Sequence, residues 1–209
     1  MQVWSRLVRG PAKYGSYFYE EGVDSYQKVG KTCRQREHFH IMAKYLLNSC
    51  CFFLETLGAG IWVGALVTFG YAVAAPVFRN LPSVTQAGHI TALVLHRINL
   101  METVAAGMMV GAAVVFLLQK DQRTPVRIAK SVIVGLMTAS FLYYGVSMMN
   151  RIEHLRTVEI KNFDQFEEST RVARDEFDQL HKRYTLFAKA NLFLGLGFLL
   201  LSGCERRSS

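Results

Sequence analysis

Three charged side chains lie in stretches of sequence that are otherwise uncharged. Glu55 is the only Asp, Glu, Lys or Arg in residues 45–78. Arg97 and Glu102 are the only two in residues 80–119. A charge is costly in hydrocarbon, so such residues mark an ion pathway or a contact between helices. We expect these three to face a bundle interior or each other, as a proton or cation path, as an interhelical ion pair or hydrogen bond, or, for Arg97, at the membrane interface.

The histidines are the candidates for holding a cofactor. If the membrane spans alternate, four of them fall towards one membrane face: His89, His96, His154 and His181. Imidazole ligates haem iron and several metals, which makes His96 and His181 the candidate ligands between helices. No metal-ligand spacing supports such a site, and the four cysteines form no CxxC pair. We therefore expect neither cofactor nor metal, with haem as the alternative.

The sequence lacks the short motifs of common enzymes. It contains no nucleophile–base pair, glycine-rich phosphate loop or HExxH zinc motif. Clustered methionines either fill a core or handle copper(I), and they are Met101, Met108, Met109, Met148 and Met149. We predict no enzymatic activity and keep a transporter or metal-handling role as an alternative.

The composition predicts the elements that carry these residues. The 209 residues are 51% hydrophobic and only 19% charged, whereas a soluble domain has about a quarter charged residues. A bilayer requires roughly 20 apolar residues per helix, and four segments qualify: residues 45–77, 83–118, 124–150 and 184–203. We predict an all-α polytopic membrane protein, a bundle of four transmembrane helices. A soluble enzyme, a nucleic-acid-binding domain and a disordered tail are excluded as its main character.

The basic charge bears on orientation and location. The net charge is +8, and basic residues stay on the side from which insertion starts. This favours both termini on that side, which is the cytosol or the mitochondrial matrix. Residues 1–44 form a basic, aromatic extension separate from the 45–209 transmembrane domain, and no acid precedes Glu20. Such a start is typical of mitochondrial targeting or of a tail that lies on anionic lipid headgroups.

A seam of apolar residues precedes the fourth span and enters it. Alternating spacings of three and four are typical of a heptad pattern. The seam comprises Phe163, Phe166, Thr170, Ala173, Phe177, Leu180, Tyr184 and Phe187. The partner-facing members are Phe163, Phe166, Phe177 and Leu180. We predict that residues 151–183 form an amphipathic helical extension, in which the fourth helix projects beyond the bilayer by about 20 residues, or about 30 Å. Its mate is either the extension of the third helix (Ile152, Leu155 and Val158) or another subunit.

Two pairs of glycines have the small-xxx-small spacing that lets membrane helices approach closely. The first pair is Gly60 and Gly64, and the second is Gly107 and Gly111. We expect both pairs to serve tight packing within the bundle.

Several short motifs carry a family resemblance. They are LGAGIWVG at 57–64, AAPVFRNLP at 74–82, AGH at 87–89, and FDQLH at 177–181 followed by Asn191. The pattern resembles the four-helix domain-of-unknown-function family typified by transmembrane protein 205, which is distantly similar to CopD-like copper proteins and to a haem-binding protoporphyrinogen oxidase. The resemblance covers residues 45–203 and implies a four-helix membrane bundle without an established reaction. The haem-binding relatives use a histidine in the first spanning helix, and residues 45–77 contain none.

Two functions are consistent with these features. The first is a non-catalytic accessory subunit of a larger complex, in a respiratory or ATP-synthase assembly of the mitochondrial inner membrane. Its partners would be other membrane-protein subunits and the lipid bilayer, anionic lipids included. The alternative is a small transporter or a metal- or haem-handling membrane protein built around Glu55, Glu102 and the methionines.

Overall fold

The computed structural model describes residues 15–119 and 123–207, and its side chains from Phe39 onward, with gaps. The described backbone is helical apart from short connections, and no strand occurs within those ranges. The chain divides into two units at Asn48 and Ser49. In the first unit, the residues from Gly15 onward belong to helix α1 (Gly15–Val67). The acid-free start and the aromatic side chains of the predicted extension lie outside the described residues.

Four segments are long and apolar enough to cross a membrane. They are Ile41–Asn80 (span 1), Val84–Leu118 (span 2), Pro125–Ile160 (span 3) and Glu168–Glu205 (span 4). This confirms the predicted all-α polytopic bundle of four helices. The elements beyond α1 are a π-helical segment Thr68–Ala74, α2 (Ala75–Asn80), α3 (Val84–Leu118), α4 (Pro125–Phe141), a π-helical segment Leu142–Met148, α5 (Met149–His154), a π-helical segment Leu155–Ile160, a 3₁₀ turn Glu168–Thr170 and α6 (Arg171–Arg207).

Local sequence signals set the starts of two spans. The Ser83 hydroxyl accepts the Gln86 N–H at 3.1 Å, which caps the first turn of α3. The Thr124 hydroxyl accepts the Arg127 N–H at 3.3 Å, and Pro125 occupies the first position of α4. Both predicted helix starts are confirmed.

The predicted seam is not one continuous helix. The backbone of Lys161 has a positive φ of 59°, and the Asn162 N–H donates to the Ile160 carbonyl at 2.6 Å in a γ-turn. Residues 161–167 form a loop, and α6 begins only at Arg171. Phe163 and Phe166 therefore lie in a loop. The prediction that they belong to one helix with the rest of the seam is wrong.

A carboxylate explains why the helix breaks there. Asp164 accepts the Val84 N–H and the Ser83 hydroxyl, both at 2.6 Å. It thereby places a negative charge at the N-terminus of α3, where the helix dipole favours it. The hydrogen bond from the Ser83 hydroxyl is the main cause that holds the pKa of Asp164 below its usual range. The loop is thus fixed by groups about 80 residues away along the chain.

Most of the seam packs on its own chain. Ile152 and Leu155, near the end of span 3, are buried, and Phe177 and Leu180 pack against the core cluster that contains Ile152. The Phe163 ring contacts the Phe177 ring at 5.0 Å. Of the two mates that the sequence left open, the extension of the third helix is the one observed within the chain.

Contacts between spans fix the heights of residues along the bundle. Asn99 donates to the Gly145 carbonyl at 3.4 Å, and the Tyr144 and Tyr184 rings lie 5.1 Å apart. The cations Arg97, Arg151 and Arg183 lie two, six and one residues from these contacts, so their heights differ by up to about 9 Å. Lys130 lies 21 residues before Arg151, about 31 Å along a helix, which matches the hydrocarbon thickness of about 30 Å.

These cations delimit an apolar band of the bundle. We call residues 84–96 and 152–182 the projecting part, because they extend past the band on the side of Arg97, Arg151 and Arg183. This part includes the loop of residues 161–167 and the first turns of α6.

The glycines that pack closely are not the predicted pairs. A Cβ on Gly60, Gly64, Gly107 or Gly111 would meet no atom within 4 Å. A Cβ on Gly58 would lie 2.8 Å from Met109 Cγ and 3.0 Å from the Ala105 carbonyl oxygen. The predicted packing role of the two pairs is therefore wrong within the chain, because their faces of the helices point outward. Gly58 takes that role.

We expect Gly58→Ala to lower the free energy of unfolding by about 1–3 kcal/mol, because the added methyl group must displace the Met109 side chain and crowds the Ala105 carbonyl of span 2. Gly60→Ala is the matched control, since the same change two residues away enters open space. Unfolding of both variants by SDS titration in mixed micelles measures the difference. Equal stability of the two variants would contradict the close approach of α1 and α3 at Gly58.

Candidate functional site

Four side chains, one from each span, meet in the core of the bundle. We call Trp62, Glu102, Tyr144 and Asn191 the polar quartet, and all four are fully buried. The Tyr144 hydroxyl donates to Glu102 Oε1 at 2.8 Å. The Asn191 amide donates to the Tyr144 hydroxyl oxygen at 3.3 Å and to the Met137 carbonyl at 3.1 Å. Asn191, Tyr144 and Glu102 therefore form a directional chain of hydrogen bonds that ends on the carboxyl group of Glu102.

Aromatic rings position the quartet. Phe141 makes edge-to-face contacts with Trp62 at 5.6 Å and with Tyr144 at 5.7 Å. Tyr184 packs edge-on against Tyr144. Tyr144 lies in the π-helical segment Leu142–Met148, and such segments change the direction of side chains relative to a regular helix. The sequence around residue 144 thus directs a phenol at Glu102.

Several polar atoms of the quartet have no hydrogen-bond partner. Glu102 Oε2 and Asn191 Oδ1 are buried and unpaired, and the Trp62 indole N–H lies beside the Glu102 carboxyl group without a hydrogen bond of ordinary geometry. Glu102 forms no salt bridge with any described residue. Buried polar atoms without partners are costly and are few in folded proteins. The free acceptor of Glu102 can take a proton, a water molecule or a cation.

A second polar group lies at the other end of the apolar band. We call Glu55, Arg127, Lys130 and Glu205 the charge cluster. The ammonium group of Lys130 is buried and donates to Glu55 and, at 2.8 Å, to Glu205. Arg127 Nε donates to Glu205 at 2.6 Å. The cluster therefore connects spans 1, 3 and 4 through ion pairs.

Aromatic rings enclose the cations of the charge cluster. The Lys130 Nζ lies 5.0 Å from the centre of the Phe198 ring and 5.4 Å from that of Phe52. The Arg127 guanidinium lies 4.4 Å over the Phe116 ring of span 2. Cation–π contacts stabilise a cation more when water is removed from it. With Phe116, all four spans contribute to the charge cluster.

The site residues predicted from the sequence comprise the intramembrane charged residues and the candidate cofactor histidines. Glu55 and Glu102 face the interior as predicted, but they pair with Lys130 and Tyr144 and not with each other. Arg97 is exposed on α3, consistent with the interface position considered for it.

The two candidate cofactor histidines are both on the surface. His96 is exposed, and His181 is exposed and stacks on Phe177 at 6.0 Å. The described residues contain no group of three or more His, Cys, Asp or Glu side chains that could hold a metal ion.

Sequence reasoning missed Lys130, Glu205, Tyr144 and Asn191 as site residues. A local signal existed for Lys130, because Arg127 and Lys130 are three residues apart at the start of a span and share one helix face. No local signal indicated that Glu55 would meet a lysine 75 residues away.

We expect Lys130→Met to lower the free energy of unfolding by about 3–5 kcal/mol, because it leaves the buried carboxylate of Glu55 without its cation. Adding Glu55→Gln to this variant restores part of the loss, since Glu205 keeps Arg127 as a partner. Lys189→Met is the control, because Lys189 is an exposed lysine within span 4. SDS titration in mixed micelles compares them, and a Lys130→Met variant as stable as the control would refute the role of the cluster.

Comparison with known proteins finds a family similarity for part of the chain. Residues 57–159 match the profile of the domain of unknown function DUF4149. No curated protein matches the chain, and no solved structure does either. The matched residues contain three members of the polar quartet and Lys130 of the charge cluster. Residues 57–159 of this four-helix membrane protein are thus similar to the DUF4149 family, a domain whose function is unknown.

Proposed function

We propose that the protein is a non-catalytic accessory subunit of a larger assembly in the mitochondrial inner membrane, a respiratory or ATP-synthase complex. The observation that carries the proposal is the exposure of large apolar side chains on the projecting part. Phe166 is 66% exposed and Val172 is 80% exposed. Inside the apolar band such side chains would contact lipid, but these two lie beyond it.

Apolar surface outside the bilayer has a cost in water. Removing it from water contributes about 25 cal/mol per Å², and exposed apolar patches frequently mark protein contacts. Phe163, Phe177 and Leu180 already meet this need within the chain. The Arg174 guanidinium lies 5.7 Å from the Phe166 ring centre but leaves 66% of the residue exposed, so we expect a partner subunit to cover it.

The mitochondrial part of the proposal rests on the sequence. Residues 1–19 contain Arg6, Arg9 and Lys13 and no acid, as in mitochondrial targeting segments. The relationship to the family typified by transmembrane protein 205, and more distantly to CopD-like proteins, is proposed on the same basis. It agrees with a four-helix bundle that has no established reaction.

Blue-native electrophoresis of mild-detergent extracts tests the accessory-subunit proposal. We expect the protein to comigrate with a large complex whose other subunits are identified from the band. Phe166→Ala with Val172→Ala is expected to weaken that association at least about thirtyfold, because buried apolar anchors contribute about one to two kcal/mol each to binding.

The matched control is Phe193→Ala with Leu200→Ala. These residues are 71% and 73% exposed in span 4 but lie within the apolar band, so their replacement should leave comigration unchanged. Migration of the unmodified protein as a monomer or a small homo-oligomer would exclude the accessory-subunit proposal.

The polar quartet favours a second candidate, a small proton or cation transporter. Its basis is the unpaired Oε2 of Glu102 at the point where all four spans meet. A buried acceptor with an unused lone pair, linked to a phenol and an amide, is a group that can hold a cation or pass on a proton. The geometry of Glu102 suits either ligand.

We expect Glu102→Gln to abolish ion flux if the second candidate is correct, because the amide keeps the shape and a hydrogen bond but not the acid. Flux is measured in proteoliposomes with a trapped pH-sensitive dye and an imposed gradient. Asn99→Ala, which removes a different contact between spans 2 and 3, is the control. A Glu102→Gln variant that assembles, is less stable and leaves flux unchanged would support the accessory-subunit role instead.

A further inference from the structure

A groove of about 540 Å³ lies on the projecting part, between the start of span 2 and the end of span 3. We call it the basic groove. It is lined by Thr85, Gln86, His89, Ile90, Arg156, Thr157 and Lys161. Three of these seven residues have a basic or imidazole side chain, namely His89, Arg156 and Lys161. None of the seven is acidic.

The cations of the basic groove differ in how they are held. Arg156 is half-buried and forms a two-bonded ion pair with Glu153, at 2.6 and 3.1 Å. His89 and Lys161 are exposed and form no hydrogen bond or ion pair with any described side chain. The groove therefore offers one oriented guanidinium group and two polar groups with unused donors.

The backbone of Lys161 is held in an uncommon conformation beside the groove. Lys161 is the only described non-glycine residue with a positive φ, 59°. The hydrogen bonds of Asn162 to Thr85 and of Asp164 to Ser83 anchor the residues that follow it. Backbone strain persists only where surrounding contacts impose it, and it concentrates at ligand-binding sites. Here the imposed turn keeps Lys161 next to Arg156 and Thr157.

We infer that the basic groove binds a phosphate group. Arginine and lysine are the side chains that proteins use to recognise phosphate, through charge-assisted hydrogen bonds, and the Gln86 side chain adds a neutral donor. The phosphate can belong to a soluble phosphate ester or to a phospholipid headgroup.

The height of the groove favours the soluble source. Residues 85–90 precede Arg97 by 7 to 12 positions, about 10–18 Å along the helix. The headgroup layer extends only about 5–8 Å beyond the hydrocarbon on each side. A headgroup would reach the groove only if the projecting part leaned towards the membrane.

The experiment uses the full chain in phosphatidylcholine nanodiscs. In one arm, inorganic phosphate and glycerol phosphate are titrated by calorimetry. In the other, nanodiscs containing phosphatidic acid are compared with those that lack it, and retained lipid is counted by native mass spectrometry. Saturable binding of the soluble probes identifies the soluble source, and selective retention of phosphatidic acid identifies the lipid source.

Variants connect binding to the groove. We expect Lys161→Gln to weaken binding at least about fivefold, the effect of removing one lysine charge near an anionic group. Lys182→Gln removes an exposed lysine outside the groove and should leave affinity unchanged. Lys161→Gly removes the same charge while relieving the strained turn, so it should lose binding and melt at a higher temperature. Absence of binding in both arms, or equal affinity of Lys161→Gln and Lys182→Gln, would overturn the inference.

Discussion

Hydrocarbon supplies no water that could pair with a buried charge, so a charge buried in the apolar band depends on partners from other parts of the chain. Lys130 meets this constraint by contacting two carboxylates and two aromatic rings. Those contacts form only when spans 1, 3 and 4 have a particular rotation about their axes and a particular height relative to one another. The arrangement of the helices thus follows from where their few charges can be paired, since apolar side chains gain little from choosing one another over lipid.

The same constraint accounts for what the sequence could predict. The number of spans depends on continuous runs of about 20 apolar residues, and the starts at Ser83 and Thr124 depend on neighbours within four residues, so all were predictable. The partners of Glu55 and Glu102 depend on the rotation of helices about their axes. The sequence indicated that both must face inward, but the periodicity of a helix that is apolar on most sides does not define which face that is.

The predictions for the glycine pairs and for a continuous helix through the seam were wrong for related reasons. Gly58 and Gly60 are two positions apart, which turns them about 200° away from each other on a helix, so one packs against α3 and the other faces outward. The heptad spacing through Phe163 was real, but Asp164 is bound to the start of α3, and that distant contact overrides helical periodicity. The spacing of residues within one segment does not predict an interaction with the N-terminus of a helix from another segment.

The two polar groups of the bundle differ in a way that bears on function. In the charge cluster, Glu55 and Glu205 form ion pairs with Lys130 and Arg127. Such pairing is expected of a group whose role is to hold helices together. The polar quartet leaves acceptors on Glu102 and Asn191 unused, although an apolar side chain at either position would avoid that cost. A group that binds a proton or cation requires an acceptor of this kind. The charge cluster therefore accounts for the stability of the bundle, and the polar quartet is where an activity of the bundle itself would lie.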